Sequence, residues 1–473
     1  MTLRNRVFPL TITALAPVHI DSGTRLAPDL DYAVDNEHTY VVDSDVALEL
    51  VVSRWEAAQP VPEELYQAQR ATLGADEERL RRRREQQMQR VEQFEQSPPK
   101  DPRKRQEQET RLRVEAEQIK GLRAQLKARA AELDAASVPA AAPFPDAILH
   151  NSGLADLLKT GWLTLNDMRA GVAHNDRPLV RYVLGGRPAT GELYEQIKDI
   201  ADRLYLPGSS LKGALRSALA WDIAASLVPV AHQKISQRSA KMADDEIEQA
   251  IFLGHDLRRM NSTVRDVLRT LHVGDSAPAD GAPALLAVRV FRSSSVKAPL
   301  AVESIPAGAS FHATLQIERY PFESAEARRV LDFGPWQARL APEALADTCR
   351  RRAAALIAGE RTFFERFPEA AEVSRFYEEL RERLAGLGPQ SFMLPVGWGA
   401  GWRSKTLDDR LRGEGAADED FATAVQRFNL KKHKSAAFRA GGSFPDTRKL
   451  ALNGERPWRP LGWLQITIGE ERR

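Results

Sequence analysis

The sequence predicts an α+β protein with one helical insertion. A strand-rich first half, a helical stretch from Ala341 to Leu387 and a strand-rich end indicate two mixed units. A segment from Pro62 to Pro139 is rich in Arg, Glu and Gln and interrupts the first unit. With 473 residues and 43% hydrophobic content, the chain is long enough to bury a sizeable core in two or three domains.

The N-terminal residues predict strands. Val7 to Thr13 alternates in polarity and contains β-branched side chains, which is typical of a half-buried strand. Two short apolar runs follow between Asp31 and Asp43, separated by a turn at Asp35-Asn-Glu. This pattern predicts a β-hairpin.

The insertion predicts two antiparallel helices. Prolines between Ser97 and Pro102 break the helical pattern at its middle. Apolar residues recur every seven positions in the second half, at Leu112, Ile119, Leu126 and Leu133. The first half has few core residues, namely Leu73, Leu80, Val91 and Phe94. A proline-rich segment from Ala135 to Pro145 then serves as a linker.

Four successive arginines, Arg81 to Arg84, are a candidate RNA contact within the insertion. Acidic residues flank them at Glu77, Glu78 and Glu85, and four successive residues of a helix point around its whole circumference. We therefore favour a solvated helix surface.

The most informative segment runs from Leu204 to Leu219. A short apolar strand enters a turn at Pro207, and an amphipathic helix follows directly. The unpaired N–H groups of the first helical turn and the helix dipole favour an anion there. Ser209 or Ser210 is expected to cap the helix. The predicted anion site comprises Gly208, Ser209, Ser210, Lys212, Gly213 and Arg216.

The charge pattern of this segment favours nucleic acid over a nucleoside triphosphate. Lys212 and Arg216 are four residues apart and therefore share a helix face. A triphosphate P-loop requires Gly-Lys-Ser/Thr, whereas here the lysine precedes Gly213, which is followed by Ala214. A nucleic-acid backbone therefore fits the predicted anion site better than a nucleoside triphosphate does.

A second glycine-rich segment spans 397–405. Three glycines alternate with other residues, and two tryptophans and two cations accompany them, a composition suited to base stacking and phosphate contacts. The alternative is a tight turn whose tryptophans fill the core, and composition alone does not decide between the two. The residues that would contact nucleic acid in the first case are Gly397, Trp398, Gly399, Gly401, Trp402, Arg403 and Lys405, and the family resemblance given below favours that case.

A basic stretch follows nearer the C-terminus. Its cations are Lys431, Lys432, Lys434 and Arg439, followed after Gly441-Gly-Ser443 by Arg448 and Lys449. Such a stretch can follow a phosphate backbone, although basic loops are often only solvated.

Candidate catalytic residues are few. His19 lies in the loop after the first strand, but no recognisable second catalytic group accompanies it. We expect Asp29 and Asp31 to be structural, and the dipeptide His255-Asp256 lacks further ligands of a metal site. The single cysteine, Cys349, excludes internal disulfides and a cysteine-based zinc site. We expect no catalytic residue, no metal and no cofactor.

The segment Leu206-Pro-Gly-Ser-Ser-Leu-Lys-Gly-Ala-Leu-Arg216 resembles the glycine-rich motif of the RAMP superfamily, the RNA-binding subunits of CRISPR effector complexes. Thr11 to Gly23 is similar to the first strand and loop of that superfamily, and Val302 to Phe311 to its late strand-turn signature. Three further segments are most similar to the terminal RAMP subunit of type III-A (Csm) complexes, namely 271–276, 394–406 and 445–449.

The resemblance implies two ferredoxin-like (RRM-like) RAMP domains, at 1–320 and 321–473, with the helical hairpin at 62–139 inserted in the first. It implies a non-catalytic subunit that binds CRISPR RNA (crRNA), caps its 3′ end and supports crRNA maturation and antiviral defence. It also adds His19 to the RNA-binding residues, beside Arg448 and Lys449. The implied partners are crRNA, the adjacent RAMP backbone subunits and other Csm subunits. Contacts with target RNA near the crRNA 3′ end, and with host nucleases, stay undecided.

Three alternatives remain. A metal-independent endoribonuclease would process crRNA through His19, because related CRISPR RNases use a loop histidine as a general acid or base. A type III-B RAMP subunit would share the first glycine-rich motif and match less well around Gly397 to Thr406. A scaffold without RNA contacts would touch only the neighbouring subunit.

The net charge of +2 means that any RNA site must be a local patch on a balanced surface. The sequence contains no apolar run of membrane-spanning length, and its N-terminus lacks the apolar region of a signal peptide. We therefore expect a cytoplasmic protein with no membrane partner.

Overall fold

The computed structural model describes residues 5–58, 63–136, 153–228, 245–253, 265–279, 281–292, 298–412, 416–431 and 444–472. These residues form two compact units, one from Met1–Asp43 with Val180–Arg473 and the other from Ser44–Leu179. The first unit combines sheets and helices, which confirms the predicted α+β class. The dipeptide His255-Asp256, the cations from Lys432 to Arg439 and most of the proline-rich linker lie outside the described residues.

The strands in chain order are β1 (Arg6–Ala14), β2 (Asp21–Leu26), β3 (Tyr32–Val34), β4 (Thr39–Val42), β5 (Ala173–His174), β6 (Arg177–Pro178), β7 (Val180–Leu184), β8 (Leu193–Gln196), β9 (Leu271–Val273), β10 (Ala284–Phe291), β11 (Leu300–Ser304), β12 (Ser310–Ile317), β13 (Ser391–Pro395), β14 (Arg448–Asn453), β15 (Arg456–Arg459) and β16 (Trp463–Ile468).

The α-helices are α1 (Ser44–Ala57), α2 (Glu63–Gln96), α3 (Pro102–Ala136), α4 (Leu154–Lys159), α5 (Leu165–Arg169), α6 (Gly208–Ala224), α7 (Asp245–Phe252), α8 (Tyr320–Glu323), α9 (Ala325–Leu331), α10 (Trp336–Arg339), α11 (Pro342–Phe364), α12 (Ala371–Ala385), α13 (Asp408–Leu411) and α14 (Ala416–Arg427). Short 3₁₀ turns lie at Val267–Thr270, Pro368–Ala370 and Arg403–Lys405.

Two large sheets organise the first unit. The five-stranded sheet has the order β13-β16-β1-β12-β9, and all of its pairs are antiparallel. The six-stranded sheet has the order β15-β14-β10-β11-β8-β2, with one parallel pair, β11 with β8. Both sheets combine strands from the two sides of residue 320. The domain division predicted at that residue and the two ferredoxin-like domains stay predictions.

The predicted N-terminal strands are confirmed. β1 covers the expected segment, and β3 pairs antiparallel with β4 around the predicted turn. Asp35 shapes this turn, because its Oδ1 accepts hydrogen bonds from the N–H groups of Glu37 and His38. β7 adds a third strand to the hairpin.

The core of the first unit lies between the five-stranded sheet and two helices. Leu211, Leu215 and Leu219 repeat every four residues on α6 and are all buried. They belong to one apolar cluster with Ile12 of β1 and with residues of α11. This packing fixes the position of α6, whose N-terminal turns contain the first glycine-rich motif.

The second unit contains the predicted helical hairpin. Side chains of α2 and α3 pair in opposite chain directions, because Tyr66 bonds to Asp134 whereas Arg90, farther along α2, bonds to Glu115. Three of the four heptad residues, Leu112, Ile119 and Leu133, are buried. The antiparallel arrangement is therefore confirmed.

The four successive arginines of α2 lie on its surface, as predicted. All four are exposed, and Arg81 and Arg82 both pair with Glu78. Exposed pairs of this kind contribute little to stability. None of the helices in the described part of the chain is both long and apolar enough to cross a bilayer.

Candidate nucleic-acid interface

The first glycine-rich segment begins α6 two or three residues earlier than a cap at Ser209 or Ser210 implies. Pro207 is the N-terminal cap, and it has no side-chain capping bond, so the predicted capping by Ser209 or Ser210 is wrong. Both serines fall inside the first helical turn instead. The N–H of Gly208 donates to Oδ1 of Asp275 at 2.7 Å, which places a carboxylate of the protein itself near this helix end. Leu204 forms isolated bridges with Lys198 and Ala279, so the residues before the helix do not form the regular strand we expected.

Gly208 is required by packing inside the protein. An added Cβ would lie 2.1 Å from the carbonyl oxygen of Val273 and 2.7 Å from the carbonyl carbon of Gly274. Both are backbone atoms, which cannot rotate away as a side chain does. The first glycine of the motif therefore allows α6 to start directly against the end of β9.

No packing contact in the described part of the protein requires glycine at position 213. It lies in the second turn of α6, is exposed, and no described atom would come within 4 Å of an added Cβ. Glycine inside a helix costs about 1 kcal/mol relative to alanine. The described part of the protein therefore carries this cost without using the space.

The two cations of the motif differ in their environments. Lys212 is half-buried; burial lowers the pKa of its ammonium, and the charge of nearby Asp266 opposes that change. Arg216 pairs with Asp266 at 3.3 Å, and its guanidinium lies 4.0 Å from the ring centroid of Phe252. Both side chains are therefore half-buried, because α6 packs closely enough to bury part of each.

The second glycine-rich segment forms a sequence of left-handed turns. Gly397, Gly399 and Gly401 have φ values of +84°, +81° and +96°. A Cβ on Gly397 would lie 2.3 Å from the His19 carbonyl oxygen, and one on Gly399 would lie 2.5 Å from Leu461 Cδ1. Two of the three glycines thus serve internal packing, and at Gly401 no described atom restricts the space.

The two tryptophans of this segment are placed differently. Trp398 is half-buried, and its ring centroid lies 5.4 Å from that of His19 and 5.6 Å from that of Tyr194. Trp402 is 37% exposed and contacts the ring of Phe444 at 5.4 Å. The segment is therefore a tight turn that fills part of the core through Trp398 and also presents an aromatic surface through Trp402.

A cavity of about 600 Å³ adjoins both tryptophans. Lys405 and Lys449 lie on its wall, and Lys431 does so while paired with Asp446 at 2.7 Å. Lys405 has no ion pair among the residues that the structure describes, and partial burial of its ammonium lowers its pKa although the residue as a whole is exposed. The cavity thus combines aromatic rings with cations, as a site for single-stranded nucleic acid requires.

Two predicted RNA contacts point into the protein. Nε of Arg448 lies 2.6 Å from a carboxylate oxygen of Glu360, and this ion pair is almost fully buried. Arg403 lies against Gly359 of α11 and faces the buried carboxylate of Asp408 at 3.7 Å. Both arginines attach their segments to α11, so we assign them structural roles and leave them out of the candidate surface.

His19 is also a core residue. Its side chain is completely buried, and Nδ1 lies 2.7 Å from the carbonyl oxygen of Glu303. Burial lowers the pKa of the imidazole to about 4, so the ring is neutral at physiological pH and its Nδ1–H donates to that carbonyl. The expected RNA contact of His19 has no exposed atom to make it, and we assign this residue a structural role as well.

The structure connects the two glycine-rich segments through α6. Near the C-terminal end of this helix, Nε1 of Trp221 donates to Asp409 at 2.7 Å, and Arg352 of α11 bonds to the same carboxylate. Gly208 lies thirteen residues before Trp221, which is about 20 Å along a helix axis. The first motif therefore forms the N-terminal end of α6, and the residues that follow the second glycine-rich segment are attached near its C-terminal end.

Sequence reasoning missed several residues of this region. Tyr194 lies beside Trp398, and the Arg25 guanidinium lies 3.8 Å from the Tyr194 ring centroid. Both are far from Trp398 in the sequence, and no local pattern marked them. The structural interpretation of Asp31 is confirmed, because its carboxylate accepts the N–H of Ala27 at 2.7 Å.

Comparison with known proteins supports the resemblance. The relative "CRISPR system Cms protein Csm5" from Methanocaldococcus jannaschii is 22% identical over 279 residues, which cover 56% of this chain and 63% of that protein. The chain thus spans less than two thirds of that relative's length. A chain in the cryo-EM structure of the Csm-crRNA-target RNA ternary complex of a type III-A CRISPR-Cas system has a TM-score of 0.56 and 19% identity, covering 98% of this chain and 100% of that one. It shares the fold.

The crystal structure of T. onnurineus Csm5 aligns over 96% of this chain and 99% of its own, at 18% identity and a TM-score of 0.49. The sequence profile of the RAMP superfamily matches residues 11–403, which include the first glycine-rich motif and almost all of the second. This protein therefore belongs to the RAMP superfamily.

Proposed function

We propose that this chain is a crRNA-binding subunit of a type III-A (Csm) effector complex. The family match, the similarity to a Csm5 protein and the fold shared with a chain of a Csm-crRNA-target RNA complex support this assignment. In the finer form of the proposal, the chain caps the complex at the 3′ end of the crRNA and supports crRNA maturation and antiviral defence. Its partners are then crRNA, the adjacent RAMP backbone subunits and other Csm subunits.

The observation that carries the RNA-binding part is the surface of α6 around Gly213. A glycine that nothing described in the protein requires stands directly after Lys212, whose ammonium has no ion pair among the described residues. A phosphate group needs close approach to the helix and a nearby cation. Contacts of this type bind a backbone without reading its sequence, as a subunit that meets different spacers must do.

We propose a non-catalytic role. The alternative, an endoribonuclease acting through His19, requires a histidine that reaches RNA and exchanges a proton near neutral pH. His19 is buried, and burial lowers its pKa to about 4. Exchanging His19 for Asn would abolish cleavage by the purified chain if the alternative were correct; we expect no RNA cleavage by either protein.

The test is purification of the tagged protein from cells that carry its native CRISPR locus, with sequencing of bound RNA and mapping of its 3′ ends. We expect crRNA together with other Csm subunits, and crRNA shortened or lost at its 3′ portion when this gene is deleted. Recovery with type III-B subunits would assign the chain to that class instead. Protein free of crRNA and of RAMP partners would contradict the proposal.

Charge reversal locates the site. Lys212→Glu should reduce the recovered crRNA, whereas Lys127→Glu, an equal charge change on the exposed surface of α3, should not. We avoid Arg216→Glu because it would place two carboxylates together at Asp266 and disturb the fold. Equal crRNA recovery from both variants would exclude this end of α6 as the binding surface.

A further inference from the structure

The helical hairpin has an open groove between its two helices. A cavity of about 430 Å³ lies there, and α2 and α3 each contribute four of the residues that line it. Leu126, the only one of the four heptad residues of α3 that is not buried, lies on its wall together with Leu80 of α2. Leu122, one turn before Leu126, also lines the groove and is 39% exposed. The two helices therefore leave apolar side chains uncovered at this level.

The charged side chains around these leucines are mostly cationic. Arg79, Arg83 and Arg129 line the groove. The one carboxylate among the described lining residues, that of Asp76, pairs with Arg79 at 3.3 Å. Arg83 bonds to the uncharged amide of Gln118 at 3.1 Å, and in the part of the chain that the structure describes neither Arg83 nor Arg129 has an ion pair. The groove therefore offers two cations to an anionic partner.

The lining favours a protein helix over RNA or a second copy of this chain. Among the described residues that line the groove none is aromatic, whereas a site for single-stranded nucleic acid uses aromatic rings to stack the bases. An apolar groove between two antiparallel helices instead accepts a third helix, which completes a bundle. A second copy docked by the same groove would bring like-charged arginines together, which disfavours that pairing.

We propose that an acidic amphipathic helix of a partner protein docks in this groove. Its apolar stripe packs on Leu80, Leu122 and Leu126, which burial removes from water. Its carboxylates pair with Arg83 and Arg129, because a guanidinium presents a donor fork that matches a carboxylate. This partner site does not depend on the RNA-binding function proposed above, because the hairpin belongs to the second compact unit and the RNA-binding surfaces to the first.

The test measures binding of two fluorescent amphipathic peptides to the full-length protein by fluorescence anisotropy. Both have about three heptads with leucine at a and d, and they carry either glutamate or lysine at e and g, so that like charges keep each peptide from pairing with itself. We expect the wild type to bind the glutamate peptide about 10-fold more tightly than the lysine peptide. Leu122→Ser should weaken both peptides by about 10-fold and keep their ratio, whereas Arg129→Glu should bring the ratio close to one.

Each variant has a matched control outside the groove. Leu65→Ser removes a leucine of α2 that is 49% exposed, and Lys127→Glu makes the same charge change on α3 as Arg129→Glu; both should bind as the wild type does. Absence of peptide binding, equal binding of the two peptides by the wild type, or binding unchanged by Leu122→Ser would overturn the proposal.

Two further measurements decide against the other occupants. Binding of an oligouridylate that Arg129→Glu abolishes and Leu122→Ser leaves intact would assign the groove to RNA and overturn the proposal. Dimerisation of the protein alone in sedimentation, lost in Leu122→Ser, would assign the groove to a second copy and overturn it as well. We expect a monomer in sedimentation and no effect of Arg129→Glu on oligouridylate binding.

Discussion

Gly213→Ala should make the protein more stable and weaken its binding to RNA. In the structure, no described atom comes within 4 Å of the added Cβ, and the residue lies in the helical interior of α6. Replacing an unstrained helical glycine by alanine contributes about 1 kcal/mol of stability. The same methyl group would project from the surface where we propose that a phosphate backbone approaches.

Gly208→Ala is the matched comparison within the same motif. Its Cβ would lie 2.1 Å from a backbone carbonyl oxygen, so α6 and β9 must separate locally. Displacing packed backbone costs about 3 kcal/mol at the upper end of overpacking effects. Loss of the bond from Gly208 to the Asp275 carboxylate adds ~1.5 kcal/mol. The two substitutions should therefore shift stability in opposite directions, so that the free energies of unfolding of the two variants differ by roughly 5.5 kcal/mol.

The assay is urea unfolding followed by tryptophan fluorescence, combined with RNA binding measured by fluorescence anisotropy on folded protein. We expect a higher urea midpoint and lower RNA affinity for Gly213→Ala, and a clearly lower midpoint for Gly208→Ala. If Gly213→Ala binds RNA as tightly as the wild type, the glycine is not kept for RNA approach. If Gly208→Ala unfolds at the wild-type urea midpoint, α6 does not lie close enough to the end of β9 to exclude a Cβ at this position.

Three further predictions concern other parts of the molecule. The folded-state pKa of His19, about 4, lies below the ordinary 6.5. The neutral imidazole therefore contributes ~3 kcal/mol of stability that is fully present above pH 6.5 and is lost as the pH falls towards 4. His19→Asn should flatten this part of the pH profile of stability measured by urea unfolding, and an unchanged profile would refute the assignment. Arg448→Met leaves the Glu360 carboxylate buried without its cation and should lower the free energy of unfolding by about 3–5 kcal/mol. The RNA affinity of the folded variant should stay within twofold of the wild type. A stable variant that loses RNA binding would show that this arginine contacts RNA instead of having a structural role. Replacing residues 63–136 by a short flexible linker should leave the unfolding midpoint of the first unit unchanged, and loss of folded protein would show that the hairpin is not a separable insertion.

Local patterns in the sequence determined most of the regular elements. Alternation predicted β1, turn residues predicted the hairpin of β3 and β4, and heptads with a proline break predicted α2 and α3. The four-residue leucine repeat of α6 predicted its buried face. These signals are readable in one sequence because each element selects side chains at its own period and ends at residues that cannot continue it.

Only the tertiary structure decided which of the predicted RNA contacts face outward. Arg448 reads as a surface cation, yet Glu360, 88 residues away, pairs with it in the interior. The serines after Pro207 read as helix caps, yet Asp275, 67 residues away, accepts the N–H of Gly208. Residue type and spacing therefore identified the glycine-rich segments and the family. Burial and capping depend on contacts between distant residues, which the periodicity of a single sequence does not record.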